Sequence, residues 1–315
     1  MNLLPDFSDV EKAHKTIQKY IHRTPVFTSS AINKIVGASL FFKCENFQKV
    51  GAFKFRGACN AILSLPPGKI IHGVATHSSG NHAAALALAA KINGTPAYIV
   101  MPVTSPEIKK TAVAGYGAQI TFCKPTLQDR ESKLKEIVKQ TGATEIHPYD
   151  NFQVIAGQGT AAKELIEDTD ELDIILAPVG GGGLISGTAI SAKYLLPGCS
   201  VIAAEPAGAD DAFRSFKSKK RLPSENPKTI ADGLLTSLGE RNFKIILNQV
   251  DEIVTVSEEK IVEAMRMIWE RMKIIIEPSS AVPLAAILEG KVPVNGKKVG
   301  IILSGGNLDL KKLLF

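Results

Sequence analysis

Short, uniformly apolar runs alternate with helix-length runs through most of this chain. "IIHGVAT" (70–76) reads as a strand and "SGNHAAALALAAKI" (79–92) as a helix. "PAYIVM", "AQITFC" and "TEIHPY" follow as strands, with "SPEIKKTAVAGY" and "LQDRESKLKEIVKQ" as the helices between them. The alternation continues through "VIAGQGTAAKELIED", "LDIILAPV", "LISGTAISAKYLL" and "SVIAAEP", and "KVGIILS" ends it. A strand with no polar face must be covered on both sides. Parallel sheets flanked by helices meet that demand, so the expected fold is α/β. Upstream, Ser8 and Glu11 have capping-box spacing, which predicts a helix over about 8–22, and "SLFFKCE" (39–45) predicts a strand. The compact run 76–147 is expected to form a small domain inserted in a larger one made of 1–75 and 148–315. Its break points are "LPPGKIIHG" and "HPYDN".

At 315 residues the chain is long enough for one large or two smaller cores. Its net charge of +6 is modest and the basic residues are scattered, the one dense run being "KSKKR" at 217–221. Neither nucleic acid nor a membrane is expected as a partner. The four cysteines (Cys44, Cys59, Cys123, Cys199) lie far apart, as reduced thiols of a cytoplasmic protein would. The N-terminal residues lack the basic start and apolar stretch of a secretory signal.

Ligands of parallel α/β sheets gather at the carboxyl ends of strands, and three turns there draw attention. "PVGGGGLISG" places Gly180, Gly181, Gly182 and Gly183 between a strand and a helix, where converging N–H groups and a helix start suit a phosphate. The alternative is a tight strand–helix crossing that needs small residues. Neither a G-x-G-x-x-G nor a P-loop pattern occurs. "HSSGNHAA" offers Ser78, Ser79 and Asn81 as a carboxylate clamp, or simply as an N-cap. "IILSGGNLD" ends a strand with Ser304, either a ligand-facing hydroxyl or part of a closing turn. Elsewhere "FKF" sets Lys54 between Phe53 and Phe55, an amine in apolar company. Glu205 and Asp211 could hold a divalent cation or be solvated loop acids. The six histidines show no zinc pattern, and G-x-S-x-G is missing, so zinc enzymes and serine hydrolases lose ground. A reactive lysine plus a phosphate cup is what pyridoxal phosphate requires.

The chain resembles the fold type II pyridoxal-phosphate enzymes, in the branch of serine racemases and serine/threonine dehydratases. The resemblance runs over nearly the whole chain, through "FFKCENFQKVGAFKFRGA", "THSSGNHAAALALAAK", "PVGGGGLISG", "AAEPAGADDA", "TIADGL", "ERMKIIIEPSSA" and "ILSGGNLDL". It implies two open, twisted, mainly parallel sheets with helices on both faces, as in tryptophan synthase β. It implies Lys54 as the Schiff-base lysine, Phe53 packed on the cofactor ring, and Asn81 on the ring hydroxyl. Gly180–Gly183 would hold the phosphate, Ser304 would face the pyridine nitrogen, and Gly233 and Glu277 would line the cofactor. Ser78, Ser79, Asn81 and His82 would take the substrate carboxylate, and Arg130 would approach the substrate. Glu205, the Ala209 carbonyl and Asp211 would bind Mg²⁺ (or Ca²⁺ or Mn²⁺).

The implied activity is serine racemisation with β-elimination of serine, and of threonine, to a 2-oxo acid and ammonia. Lys54 would move a proton on one face and Ser79 on the other. A serine at the pyridine nitrogen supplies no negative charge, so the ring is a weaker electron sink and elimination competes. The alternatives are a dehydratase of threonine or 3-hydroxyaspartate with little racemisation, and a non-catalytic anion-binding α/β protein. A homodimer is also implied. Ala83-Ala84-Ala85 replaces the Gly-Gln of relatives that bind ATP, so a glutamine contact to ATP is lost here.

Overall fold

The structure is a computed structural model that describes residues 4–105, 107–169 and 171–310. Ten strands occur among them: β1 (Val26–Phe27), β2 (Ser39–Cys44), β3 (Val74–His77), β4 (Ala97–Pro102), β5 (Gln119–Cys123), β6 (Thr144–Glu145), β7 (Ile174–Pro178), β8 (Ser200–Pro206), β9 (Glu252–Val256) and β10 (Lys298–Leu303). The helices are α1 (Phe7–Ile17), α2 (Ser30–Val36), α3 (Lys54–Leu63), α4 (Pro67–Ile70), α5 (Asn81–Ile92), α6 (Glu107–Gly115) and α7 (Leu127–Thr141) in the first half. The second half holds α8 (Phe152–Thr169), α9 (Gly183–Leu195), α10 (Asp211–Ser218), α11 (Glu240–Gln249), α12 (Glu258–Met272) and α13 (Pro278–Leu288).

The strands form two sheets, as expected. One has six strands in the order β1-β2-β10-β7-β8-β9, the other four in the order β5-β4-β3-β6. Every pairing is parallel except β1 with β2. The apolar strands are two-faced burial made visible. In β7, Ile174 and Leu176 join a core beneath α12 and α13, while Ile175 and Ala177 join the core under α8 and α9. In β8, Ile202 and Ala204 take the first side, Val201 and Ala203 the second. The small sheet repeats this, with Val74 packed toward α3 and α5 and Ala75 toward α7. Because side chains alternate with period two, a register slip of one residue would swap both cores.

Three expectations are corrected. The first helix is capped by Asp6, not Ser8: the Asp6 carboxylate accepts from Ser8 N and Asp9 N, and Asp9 returns the bond to Asp6 N. Asp6 is the last residue with extended backbone, so Ser8 already lies inside the helix, which ends at Ile17. The run 70–76 is a strand only from Val74, since Gly73 turns the chain at φ +84° after α4. "TEIHPY" pairs only over Thr144–Glu145. His147 then accepts from the N–H of Tyr149 and of Asp150, which curls the chain away from the sheet.

Candidate active site

The C-terminal ends of β2, β3, β7 and β10 deliver their loops to one cavity of about 340 Å³. Fourteen of the residues singled out above line it: Phe53, Lys54, Ser78, Ser79, Asn81, His82, Arg130, Gly180 to Gly183, Gly233, Glu277 and Ser304. They come from both sheets. Glu205, near the end of β8, and Ala209 and Asp211, after it, lie outside the cavity.

Lys54 opens α3. Its two phenylalanine neighbours have different tasks. Phe55 is fully buried in the core of the small sheet, while the Phe53 ring faces the cavity with Lys54 Nζ 5.1 Å from its centroid. Lys54 Nζ donates to the carbonyl of Pro148 at 3.0 Å. Burial lowers the amine to about 8, against a partly opposing pull from Glu277. Far more of it is therefore neutral near pH 7 than in a solvated lysine. The helix is anchored two residues on. Arg56 is fully buried and donates to both carboxylate oxygens of Glu45 and to both of Glu164. Lys43, also fully buried, pairs with Glu164 at 2.8 Å.

The glycine loop follows β7. Among the described residues the N–H groups of Gly180, Gly181 and Gly182 meet no protein acceptor. Gly183 is the first residue of α9, where an N–H has no partner within the helix. The loop is also closely packed. A Cβ on Gly181 would fall 2.3 Å from the Tyr149 ring, and Gly182 has φ +91°. Both readings of four glycines thus hold together: backbone closeness from below, free N–H donors above. The arrangement fits a phosphate.

Asn81 begins α5 and donates to both oxygens of Glu277, at 2.9 and 3.2 Å. Asn307 in turn donates to Asn81 Oδ1 at 3.0 Å. Burial, then the charge of Asp232, raises the Glu277 carboxyl to about 7. Ser78 Oγ accepts from Gly80 N, a turn that leaves Ser79 on the cavity wall. His82 is buried with Nε2 3.3 Å from the Ile146 carbonyl, and burial lowers its pKa well below the usual histidine range, so the ring is neutral. Arg130, on α7, donates to the Pro125 carbonyl, while its buried Nε has no partner. Ser304 is buried after β10, its Oγ 3.0 Å from Ser280 Oγ.

Sequence reasoning missed several participants. Tyr149 backs the glycine loop, and Asn242 fixes both by donating to the carbonyls of Tyr149 and Gly181. Lys109 of the small sheet's α6 pairs with Asp232 across the cavity mouth at 2.5 Å. Nothing local marks these residues, although "HPYD" already stands out as a turn. A second cavity of about 400 Å³ lies behind Asn81 and Asn307, with Ala84 and Tyr116 in its wall.

Glu205 ends β8, and its two oxygens accept the N–H groups of Ala212 and Phe213 at the start of α10. Asp211 Oδ2 accepts from Leu238 N, but its buried Oδ1 has no partner. An orphaned buried carboxylate oxygen beside a second buried acid fits a divalent cation. No cluster of three or more metal-ligating side chains occurs among the described residues, so carbonyls or water would have to complete such a site.

A lysine of depressed basicity, a phosphate cradle and a polar clamp from a second sheet define one class of protein. The chain belongs to the pyridoxal-phosphate dependent enzyme family, whose pattern it matches over residues 17–305. It is 55% identical over 310 residues to a serine racemase of Dictyostelium discoideum, covering 97% of this chain and 95% of that protein. It is 50% identical to a beta-hydroxyaspartate dehydratase of Paracoccus denitrificans, covering 98% of each. The crystal structure of the Dictyostelium serine racemase superposes with a TM-score of 0.93 over 98% of this chain and 100% of that one.

Proposed function

We propose that this enzyme interconverts L- and D-serine and also eliminates water from serine, releasing pyruvate and ammonia. The observation that carries this reading is the pairing of Lys54 and Ser79 in one cavity from different sheets. Inversion at a carbon needs a proton carrier on each side of it.

Bound pyridoxal phosphate supplies an aldehyde that captures the amino group and a ring that acidifies the neighbouring Cα–H. Gly180–Gly183 hold its phosphate through backbone N–H groups. Phe53 covers the ring, Asn81 and Glu277 border it, and Ser304 meets its nitrogen. Ser78, Asn81 and the loop they frame hold the substrate carboxylate. Lys54 Nζ takes a proton from one face of Cα, and Ser79 Oγ gives one to the other. For elimination, Lys54 Nζ passes its proton to the departing β-hydroxyl, which leaves as water. Ser79→Ala is therefore expected to lose racemisation while still eliminating water from at least one serine enantiomer. Chiral chromatography beside pyruvate release measures both, and equal loss of the two activities would remove Ser79 from the opposite face.

A second reading rests on Arg130. Its unpartnered Nε at the cavity wall suits a second carboxylate, which 3-hydroxyaspartate carries and serine lacks. On that reading the enzyme is mainly a 3-hydroxyaspartate dehydratase.

Residues 76–147 act in this account as a small mobile domain closing on 1–75 and 148–315, with the Lys109–Asp232 pair at the closing edge. Glu205, the Ala209 carbonyl and Asp211 hold Mg²⁺ or a similar cation, with no part in proton transfer. Added Mg²⁺ is expected to raise the thermal midpoint of the wild type, and Asp211→Asn to abolish that rise. An equal rise in both proteins would place the cation elsewhere. The enzyme works as a cytoplasmic homodimer in this reading; its four cysteines are buried and unpaired, as reduced thiols are. ATP would have to bind without the glutamine contact, since Ala83-Ala84-Ala85 stands in its place.

A further inference from the structure

The carbonyl that Lys54 Nζ bonds at 3.0 Å belongs to Pro148, in the segment between β6 and α8. A peptide unit is planar and trans, so its C=O and its N–H point in opposite directions. The Pro148 carbonyl shares its plane with the N–H of Tyr149. That N–H donates to His147 Nδ1 at 3.3 Å, and the next one, of Asp150, donates to the same atom at 2.8 Å. His147 thus grips one edge of the plane while Lys54 bonds the other. Nδ1 can accept only when it carries no hydrogen, and burial lowers the ring to about 4, which keeps it neutral near pH 7. The rest of the segment is pinned as well. Asn242 donates to the Tyr149 carbonyl at 3.1 Å, and the Asp150 carboxylate accepts the N–H groups of Glu240 and Arg241 at the start of α11.

We propose that His147 is a positioning residue for Lys54: through the Pro148–Tyr149 peptide it aims a carbonyl that holds the free amine for proton transfer. The proposal rests on the reading that Lys54 captures pyridoxal phosphate. The amine is free before that capture, and again once the amino group of the substrate has displaced it. A neutral amine has two hydrogens and one lone pair. One hydrogen goes to the Pro148 carbonyl, and the lone pair is left for the cavity. After taking a proton the amine is a cation, and a charged donor bonds the same carbonyl more strongly. The carbonyl therefore favours the protonated form, against the burial that disfavours it. It makes Lys54 a stronger base than burial alone would leave, and it keeps the ammonium in place to return its proton. The titratable groups around Lys54 are Glu277, which pulls the same way, and His82, His147 and Tyr149, which burial keeps uncharged near pH 7. Lys109 and Asp232, at the cavity mouth, pair with each other.

The test is the pH midpoint at which apoenzyme captures pyridoxal phosphate, followed by the visible absorbance of the attached form. His147→Ala leaves the Tyr149 N–H without its acceptor and the Pro148 carbonyl without its aim. The ammonium form of Lys54 then loses more than the neutral form, and the midpoint should fall by about one pH unit. His147→Phe keeps a flat ring in the same space but has no acceptor, so it should fall alike; it also guards against failure of the alanine variant to fold. His147→Asn brings back an oxygen that can take the same N–H groups, and its midpoint should stay with the wild type. In the loaded enzyme, kcat for serine should drop by about tenfold in the alanine and phenylalanine variants, with KM little changed and most of the loss recovered in the asparagine variant. An unmoved midpoint in His147→Ala and His147→Phe, or a shift that His147→Asn shares, overturns the proposal. Lys54→Ala separates the two layers. If it still forms the attached species, Lys54 does not capture the cofactor and the underlying reading fails. If it does not, and the His147 variants keep the wild-type midpoint, only the role of His147 fails.

Discussion

Lys54→Ala is expected to abolish covalent capture of pyridoxal phosphate and to lower serine turnover by about four orders of magnitude or more. The cofactor should still bind through the glycine loop but be lost on gel filtration, and the visible absorbance of the attached form should be missing. The wild type carries a further signature. Burial sets the Lys54 amine at about 8, so the rate at which apoenzyme captures the aldehyde should climb through pH 8 and level off above it. A solvated lysine would still be climbing two units higher. An intact absorbance band in the alanine variant would refute the assignment.

The second large effect concerns stability. Arg56→Met is expected to destabilise the protein by about 3–5 kcal/mol, because it leaves the Glu45 and Glu164 carboxylates buried without their main partner. The loss should depend on pH in a stated direction. Burial alone would raise Glu164, but the bonds and charges of Arg56 and Lys43 outweigh it and hold the group at about 2. A glutamate in the unfolded chain titrates near 4.5. The stabilisation from this group is therefore fully present above about 4.5 and lost as pH falls toward 2. The deficit of Arg56→Met should be largest near neutral pH and shrink in acid. Urea titrations at several pH values measure it. A deficit constant with pH would mean that packing, not charge, is what Arg56 supplies.

Arg56 also shows why the site is where it is. Two residues past Lys54, it ties the start of α3 to Glu45, just past β2, and to Glu164 of α8, which Lys43 of β2 also holds. The reactive amine is held by a network that lies wholly behind it.

What the sequence makes legible follows from periodicity and chain locality. β7 and the Val201–Ala204 stretch of β8 are readable because burial on both faces leaves no polar position there, and the loops at their ends are readable because parallel sheets put ligands there. That reasoning marks Gly180–Gly183, Ser78–Asn81 and Ser304, and the two aromatic neighbours mark Lys54; all of them line the one cavity. The family resemblance added Arg130, Gly233 and Glu277, which no local pattern marks. Tyr149, Asn242 and the Lys109–Asp232 pair stay invisible, since each acts through a contact with a residue far away in sequence. At α1 the competition between Asp6 and Ser8 for the cap was decided by backbone conformation. Helix α12 had a readable signal, with Ser257 as its cap and Ile261, Ala264, Met265 and Ile268 on one buried face, but the strand–helix alternation does not reach it.

The central claim is that Lys54 and Ser79 serve opposite faces of one carbon. Incubating the holoenzyme with L-serine, and separately with 3-hydroxyaspartate, tests it most directly when D-serine is followed by chiral separation and 2-oxo acids are followed alongside. The account predicts D-serine and pyruvate together from L-serine. Rapid release of oxaloacetate from 3-hydroxyaspartate, with no D-serine from L-serine at any time, would contradict it and leave the enzyme a dehydratase.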